Sequence, residues 1–323
     1  MGRQMAFWPT LRRTILSRPK GLIAVAALVV AAPSGATPSA RWETREPLPV
    51  ARTEVAAAAA GRRIVVAGGF LADGSTSSRV DAYVPATDTW RPLPDLPRAV
   101  NHAAAAADRG RVYVLGGYSP GLGPQRSAWV LDRGRWRTLP PMPYPRGAAA
   151  AAVAGGRLYV VGGVGPAGLA RKALAFDLRR GRWSVLPGPR RREHLAAAAV
   201  GGRVYAIGGR LGGLDSNLTT VQSLAAGARR WRSEPPLPQA RGGTGAAVLP
   251  GAIVSVGGEG PDGTIARVYR FDVALRRWRR LPDLPTPRHG LGVVAFGGDV
   301  YAVAGGPRPG LFVSGANEVL RLP

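Results

Sequence analysis

Short hydrophobic runs alternate with turn residues along this chain, and from residue 41 the alternation repeats about every 47 residues. Each unit holds a run of small apolar residues, a glycine turn, a β-branched and aromatic run, a glycine-rich loop, and a segment in which small and large residues alternate. Short apolar runs bounded by turn residues are typical of buried strands. The pattern therefore predicts four short strands per unit, which we name a to d in chain order.

Two sequence markers recur in phase with these strands. A tryptophan at predicted strand d returns at intervals of 46 to 48 residues, at Trp42, Trp90, Trp136, Trp183, Trp231 and Trp278. A double glycine follows the most hydrophobic run, at residues 68–69, 116–117, 162–163, 208–209, 257–258 and 305–306. Self-similarity at a period of about 20–50 residues is the signature of a repeat architecture.

Small residues dominate predicted strand a. They form runs at residues 56–60, 103–107, 148–152 and 196–199, and glycine-containing runs at 243–246 and 290–293. Alanine favours helices, but these runs are too short for an isolated helix and recur at one place in the unit. Sheets that radiate from a common axis bring their innermost strands together, and only small side chains fit there. The runs therefore favour a propeller over a sandwich.

These residues resemble the Kelch repeat family. The likeness rests on the double glycine, on an apolar residue followed by Asp before the turn that ends strand c, and on the motif W-x-x-L-P-x-[LM]-P. The motif reads WRPLPDLP from Trp90, WRTLPPMP from Trp136 and WRRLPDLP from Trp278. The fourth unit departs most, with Ala225 in place of the strand-c Asp. The resemblance covers residues 41–323 and implies an all-β, six-bladed Kelch-type β-propeller.

The order of the strands predicts how the ring closes. The repeat region begins at Trp42 with a lone strand d and ends at residues 318–322 with a strand c. The N-terminal strand should therefore complete the sixth blade and leave no open sheet edge.

Residues 1–36 read as a signal peptide and residues 37–40 as a short linker. Five basic residues precede the apolar run from Gly21 to Ala32, and small residues up to Ala36 offer a cleavage site. The apolar run is shorter than the roughly 20 residues that span a bilayer, so we expect no stable membrane insertion after cleavage. We expect export to the periplasm or the exterior, by the general secretory route or, from the twin arginines Arg12 and Arg13, by the twin-arginine route.

Composition limits the kinds of site and partner that the chain can have. The chain has no cysteine, which excludes disulfides and thiolate ligands. Its formal charge is +25, almost all from arginine, and the arginines recur in the turns of every unit. A protein that recognises nucleic acid should concentrate its positive charge on one face. We therefore expect nonspecific attraction to acidic surfaces rather than nucleic-acid recognition.

Strand direction places the candidate site. The connections from d to a and the long b-to-c loops lie on one face, and long loops over a rigid scaffold carry binding residues. We predict a ligand site where this face meets the central channel, at Arg52, Glu54, His102, Arg146, Arg192, His194, Arg241, Glu259, Arg288 and His289. The arginines could bind carboxylate or phosphate groups. Alternatively, they belong to the repeat and join the blades through backbone carbonyls.

No cofactor or metal ion is expected. Metal binding needs two or three ligands at bonding distance, and residues on different blades are often about 10 Å apart. Two glycine patterns, Gly163-x-Gly165-x-x-Gly168 and Gly258-x-Gly260-x-x-Gly263, match a dinucleotide fingerprint, but a strand follows each where the fingerprint needs a helix.

Two classes of function are open, with the catalytic residues unknown in either. The first is an exported, monomeric binding module that presents its loop-rich face to a protein, peptide, glycan or cell-envelope ligand. The second is a sugar-modifying enzyme, such as the six-bladed sialic acid mutarotase (N-acetylneuraminate epimerase), with a glutamate as general acid or base. The copper-radical sugar oxidases among Kelch propellers need a cysteine, which disfavours that activity here.

Overall fold

The computed structural model describes residues 39–121 and 123–323, and the predicted leader lies outside them. In the described chain, six four-stranded antiparallel sheets follow one another, each with its strands paired in the order a, b, c, d. Among these residues no helix is long and apolar enough to cross a membrane. The architecture is the six-bladed β-propeller that the repeat predicts.

The strand bounds follow the predicted units closely. The innermost strands a are Ala56–Ala60, Ala104–Asp108, Ala150–Ala154, Ala196–Val200, Gly245–Leu249 and Gly292–Phe296. Strands b are Arg63–Ala67, Arg111–Leu115, Arg157–Val161, Arg203–Ile207, Ala252–Val256 and Asp299–Val303. Strands c are Val80–Val84, Ala128–Asp132, Lys172–Asp177, Val221–Ala225, Val268–Asp272 and Asn317–Arg321. Strands d are Thr89–Leu93, Arg135–Thr138, Arg182–Pro187, Arg232–Glu234, Arg277–Leu281 and, for blade six, Arg41–Arg45.

The b-to-c loops contain the remaining regular structure. Three of them fold into two-residue ladders, Tyr118–Ser119 with Gly123–Pro124, Val164–Gly165 with Gly168–Leu169, and Glu259–Gly260 with Gly263–Thr264. The fourth blade has a single 3-10 turn, Leu214–Ser216. Both glycine patterns that match a dinucleotide fingerprint lie in these ladders, so they are loop glycines, as the sequence context indicates.

Small residues line the axis, as predicted. Strands a of all six blades surround a central channel whose walls are almost entirely alanine and valine. Behind them, strands b and c supply the large apolar side chains, which pack between adjacent blades in six clusters of buried residues. The hydrophobic core therefore lies between the blades, and the axis remains open.

The periodic tryptophans join each blade to its neighbour. Every indole Nε1 donates to a backbone carbonyl of the preceding blade at 2.7–2.9 Å: Trp42 to Pro282, Trp90 to Glu46, Trp136 to Pro94, Trp183 to Pro140, Trp231 to Pro187, and Trp278 to Pro235. A buried indole N–H needs such a partner. The spacing of the tryptophans is thus the spacing of the blades.

The double glycines make a second ring of contacts. The amide of one glycine in each blade donates at 2.7–2.9 Å to a carbonyl of the next blade: Gly69 to Val100, Gly117 to Arg146, Gly163 to Arg192, Gly209 to Arg241, Gly258 to Arg288, and Gly305 to Arg52. In blade six the equivalent pair is Ala304–Gly305, so the assignment of residues 305–306 to this position is shifted by one. Ala304 takes the left-handed conformation (φ 58°) that glycine adopts in the other blades.

The N-terminal strand closes the ring. Arg41–Arg45 pairs antiparallel with Asn317–Arg321 along its whole length and becomes strand d of blade six. Leu48, which follows it, is buried in the cluster between blades six and one, and its amide donates to Gly315 O at 2.8 Å. The predicted closure of the sixth blade by the N-terminal strand is confirmed.

Candidate functional site

Each blade places one residue with positive φ just before strand a, where the loop face meets the axis. These six residues have φ between 50° and 61° and are Glu54, His102, Ala148, His194, Gly243 and Gly290. Five backbone bonds of 2.8–3.0 Å link each to its counterpart in the preceding blade, and Val55 N closes the ring on Gly290 O at 3.2 Å. The axial ring therefore fixes the backbone at the channel mouth and brings equivalent positions of six blades close together.

Three members of this ring have side chains that can ionise or bind a metal, and they meet at the axis. Glu54, His102 and His194 each offer a donor atom, and these atoms lie within 4.8 Å of one another. His102 Nε2 is 3.3 Å from Glu54 Oε2, and the His102 and His194 rings are edge to face at 4.9 Å between centroids. The separation of about 10 Å expected between residues on different blades does not hold here. We call these three residues the axial triad.

A second layer of charged residues surrounds the axial triad. His289 Nδ1 lies 3.1 Å from Glu54 Oε1 and 3.5 Å from Glu259 Oε2, while its Nε2 is 3.0 Å from the carbonyl of Arg308. Arg210 joins two of the glutamates, with Nη1 2.6 Å from Glu259 Oε1 and Nε 3.2 Å from Glu193 Oε1. Glu193 also approaches His194 Nδ1 at 3.3 Å.

The environment shifts the pKa values of His102 and His289 in opposite directions. Burial lowers the pKa of His102 to about 4, with Glu54 opposing the shift, so this imidazole is neutral at neutral pH. Burial also acts to lower the pKa of His289, but the bond to Glu54 and the nearby Glu259 outweigh it and raise the pKa.

Glu54 remains ionised despite its burial. Desolvation acts to raise the pKa of this carboxyl, but the surrounding imidazoles, including the bond from His289, hold it well below its usual range. Glu54 is thus held between His289, whose pKa the carboxylates raise, and His102, whose pKa burial lowers.

The triad forms the floor of a cavity of about 290 Å³ on the loop face. Its walls come mostly from the b-to-c loops, with Phe70, Arg210, Leu214, Glu259 and Leu311, and His289 of a d-to-a connection completes them. Of the predicted site residues, Glu54, His102, His194, Glu259 and His289 line this one cavity. The cavity combines apolar walls with a few convergent polar groups, a composition typical of ligand sites.

The five predicted arginines do not reach this cavity. Arg52, Arg192, Arg241 and Arg288 are fully buried, and Arg146 is 5% exposed. Each donates to backbone carbonyls at the end of strand b or the start of strand c; Arg192 Nη1, for example, bonds to Gly208 O at 3.1 Å and Thr220 O at 2.7 Å. Burial lowers the pKa of Arg192 to about 10, which still leaves it charged at neutral pH.

Acidic or amide side chains on strand c complete the contacts of three of these arginines. Arg52 pairs with Asp81 and Arg288 with Glu318, both at 2.6 Å, and Arg192 bonds to Gln222 at the same distance. These contacts match the structural alternative, in which the arginines hold the blades together, and leave no guanidinium of the set free for an anionic ligand.

The predicted set of site residues omits Arg210, which bridges two glutamates of the cavity. Arg210 directly follows the double glycine of its blade, and the equivalent residues of three other blades, Phe70, Tyr118 and Glu259, also lie at or beside the triad. The residue after each double glycine is therefore the sequence position that indicates the lining of the cavity. Its chemical type differs in every blade, so the repeat pattern alone does not reveal it.

Comparison with known proteins finds Kelch repeats along this chain. The profile of the KLHDC2/KLHL20/DRC7 Kelch-repeats domain matches residues 131–306, and that of the Kelch motif matches residues 51–97 and 99–143. Kelch-like protein terF of Aspergillus terreus is 36% identical over 107 residues, which cover 30% of this chain and 23% of terF.

Two further relatives show the same level of similarity over shorter stretches. Kelch-like protein 34 of Homo sapiens is 36% identical over 77 residues, covering 24% of this chain and 12% of that protein. The F-box/kelch-repeat protein At1g67480 of Arabidopsis thaliana is 36% identical over 78 residues, covering 24% of this chain and 21% of that protein. In each case the matched stretch spans less than a quarter of the relative.

One of the matched profiles, that of residues 131–306, alone covers more than half of the chain. The chain belongs to the Kelch-repeat family of β-propellers.

Proposed function

We propose that this protein is an exported binding module whose loop face docks a protein or peptide partner over the axial cavity. The observation that carries the proposal is the coincidence, on one face, of a polar cavity and exposed apolar side chains. Leu211, Leu311 and Phe312 belong to b-to-c loops and are 43%, 56% and 49% exposed. Exposed apolar groups around a polar cavity are typical of interaction surfaces.

The composition of the cavity indicates the chemistry of the partner. Glu54, Glu193 and Glu259 supply three carboxylates to the site. They face the guanidinium of Arg210 and the imidazole of His289. The local charge is therefore acidic within a strongly basic protein. A partner that inserts a cationic or hydrogen-bond-donating group into the cavity would complement it.

The geometry favours binding over the mutarotase-like alternative. That alternative requires arginines to hold the carboxylate of a sugar acid next to a catalytic glutamate. The arginines of strand a are buried within the blades, and Arg210 is already paired with Glu193 and Glu259. A glycan or cell-envelope ligand without a carboxylate remains compatible with the cavity.

Export is part of the same proposal and is supported by the leader-like residues 1–36. N-terminal sequencing of the protein recovered outside the cytoplasm should find a chain that begins after Ala36 or Ala40. Recovery of residues 1–30 intact in a membrane fraction would instead mean that the protein is anchored.

Peptide and glycan arrays probed with the purified protein test the binding proposal, followed by affinity measurements on the strongest hits. Leu311→Asp should weaken binding at least about tenfold, since it places a charge where a partner would contact the loop face. Leu275→Asp is the matched control, because Leu275 is 68% exposed in a c-to-d turn on the opposite face. Equal losses in both variants, or a loss only in Leu275→Asp, would contradict the assignment of the face.

A further inference from the structure

The axial triad combines two imidazoles and one carboxylate around a single point. Ligands held by one tetrahedral ion at about 2.0–2.1 Å lie about 3.4 Å from each other. His102 Nε2 and Glu54 Oε2 are 3.3 Å apart, and the donor atom of His194 lies within 4.8 Å of both. We propose that Glu54, His102 and His194 bind a divalent transition-metal ion at the mouth of the channel.

Hydrogen bonding orients His102 so that its Nε2 can bind a metal ion next to the carboxylate of Glu54. The side-chain amide of Asn101 donates from Nδ2 to Thr76 Oγ1, so its Oδ1 is left to accept from His102 Nδ1 at 2.7 Å. In the tautomer with the proton on Nδ1, Nε2 carries the lone pair and can act as a metal ligand. Nε2 lies 3.3 Å from Glu54 Oε2, a separation that two ligands of one ion can have.

Two of the three ligands also have an outer partner that orients them. His289 holds Glu54 through Oε1, which leaves Oε2 for the ion, and Asn101 holds His102. His194 Nδ1 is buried without a hydrogen-bond partner and lies 3.3 Å from Glu193 Oε1, so the oriented ligands are Glu54 and His102. Metal-binding histidines and carboxylates are commonly fixed by carboxylate, carbonyl or imidazole groups of this kind.

Backbone strain at the axial triad also supports a functional site there. Glu54, His102 and His194 have φ of 54°, 52° and 50°, a conformation that glycine adopts more readily and that Gly243 and Gly290 occupy in blades five and six. A non-glycine residue in this region is strained, because its Cβ crowds the backbone. The fold accepts glycine or alanine at this position, so the three side chains are not needed to form the ring. Strained residues with such side chains are typical of functional sites.

The donor set and the cavity define the kind of ion. Two histidines and one glutamate suit Zn²⁺, Fe²⁺ and related ions, with at least one coordination position left for water or a ligand. Glu54, His102 and His194 all line the cavity, so such a position would be reached from the loop face. The site does not depend on the proposed partner, because its three ligands come from the axial ring of the chain itself.

Metal titration of the full chain tests the proposal. The protein is stripped with a chelator and titrated with Zn²⁺, Mn²⁺ and Mg²⁺, and bound metal is measured by mass spectrometry and by competition with a chromophoric chelator. Co²⁺ is used as a spectroscopic probe, since its visible bands respond to nitrogen ligands. We expect one Zn²⁺ per chain, visible Co²⁺ bands, and weak binding of Mg²⁺.

Variants designed from the chain itself locate the ion. His102→Ala reproduces the residue that blade three carries at Ala148, so the fold should tolerate it, and Glu54→Gln preserves the size of the side chain. Each should weaken Zn²⁺ binding at least about tenfold, whereas Asp215→Asn, an exposed carboxylate on the same face, should have no effect. Far-UV circular dichroism checks that the variants are folded. Absence of stoichiometric binding of the tested ions, or binding that folded His102→Ala and Glu54→Gln both retain, would overturn the proposal.

Discussion

At the residue scale, the arginines and the histidines of the channel region have separate roles, even in blades four and six, where Arg192 and His194, and Arg288 and His289, lie two or fewer residues apart. Arg192 points into its blade and satisfies backbone carbonyls, whereas His194 reaches the axis. The turn of backbone between them, with His194 at φ 50°, produces this separation. One side chain therefore serves the scaffold and the other the cavity.

Substituting a strand-a arginine should lower stability and leave any loop-face binding unchanged. Arg192→Gln removes donors from the carbonyls of Gly208 and Thr220, and each buried carbonyl left unpaired costs about 1–3 kcal/mol. Urea unfolding should show the loss, while affinity for an array ligand should remain within about twofold. Arg190→Gln, at an exposed position in the same segment, is the control. A selective loss of binding with unchanged stability would mean that Arg192 takes part in ligand binding.

The sequence located the triad region but did not assign roles within it. Histidines and a glutamate near strand a were visible as exceptions to a repeat of small residues. Their mutual approach was not predictable, because it follows from the narrow axial ring, whose backbone bonds connect residues about 46–49 positions apart. The arginines recur at one position in five of the six units, and their burial distinguishes them from the side chains that reach the cavity.

At the element scale, the junction between blades depends on the absence of a side chain. A Cβ on Gly116 would lie 2.2 Å from the carbonyl oxygen of Arg146 in the next blade. The glycine that follows it, Gly117, donates to the same carbonyl at 2.7 Å. The double glycine of the repeat is therefore the site at which one blade contacts the strand-a segment of the next.

Adding a methyl group at this junction should be far more harmful than adding one in a turn. Gly116→Ala forces the two blades apart, and Gly110→Ala provides the matched comparison, since it also has positive φ (78°) but no atom within 4 Å of the added Cβ. Gly110→Ala should cost only the roughly 1–2 kcal/mol of the left-handed backbone. Gly116→Ala should cost clearly more in urea unfolding. Equal losses would mean that the junction can relax around the methyl group.

Most elements could be predicted from the sequence because period and strand length are local properties. The sixth double glycine was the exception: residues 304–305 take the place assigned to residues 305–306, since Ala304 adopts a backbone conformation that favours glycine. Ala304 is fully buried and its amide bonds to Ala316 O at 2.9 Å, so tertiary contacts hold it there.

At the scale of the whole molecule, three rings of hydrogen bonds join the blades: the tryptophan ring at strands d, the glycine junctions, and the axial ring. All three pass through the contact between blades six and one, where Trp90 of blade one donates to the carbonyl of Glu46, the residue directly after the strand Arg41–Arg45. The order of strands in the sequence was sufficient to predict this closure, because an open sheet edge in a ring of complete blades has a single available partner.

Removing the closing strand should therefore disrupt the entire ring. Deletion of residues 41–49 exposes the edge of strand Asn317–Arg321 and removes Leu48 from the core. We expect aggregation or a melting temperature at least about 5 °C lower, since 1 kcal/mol corresponds to about 2–4 °C in chains of 150–250 residues. A chain that begins at Ser39 keeps the strand and serves as the control. Identical melting of the two chains would mean that closure does not depend on this strand.

The most direct test of the account is a map of where a ligand contacts the protein. Hydrogen–deuterium exchange of the full chain, with and without the strongest array ligand, should show protection in the loop-face segments 210–220 and 306–316. The turns of the opposite face, residues 201–202, 273–276 and 297–298, should exchange unchanged. Protection confined to those turns, or to the outer strands d, would contradict the claim that this propeller functions through its loop face and axial cavity.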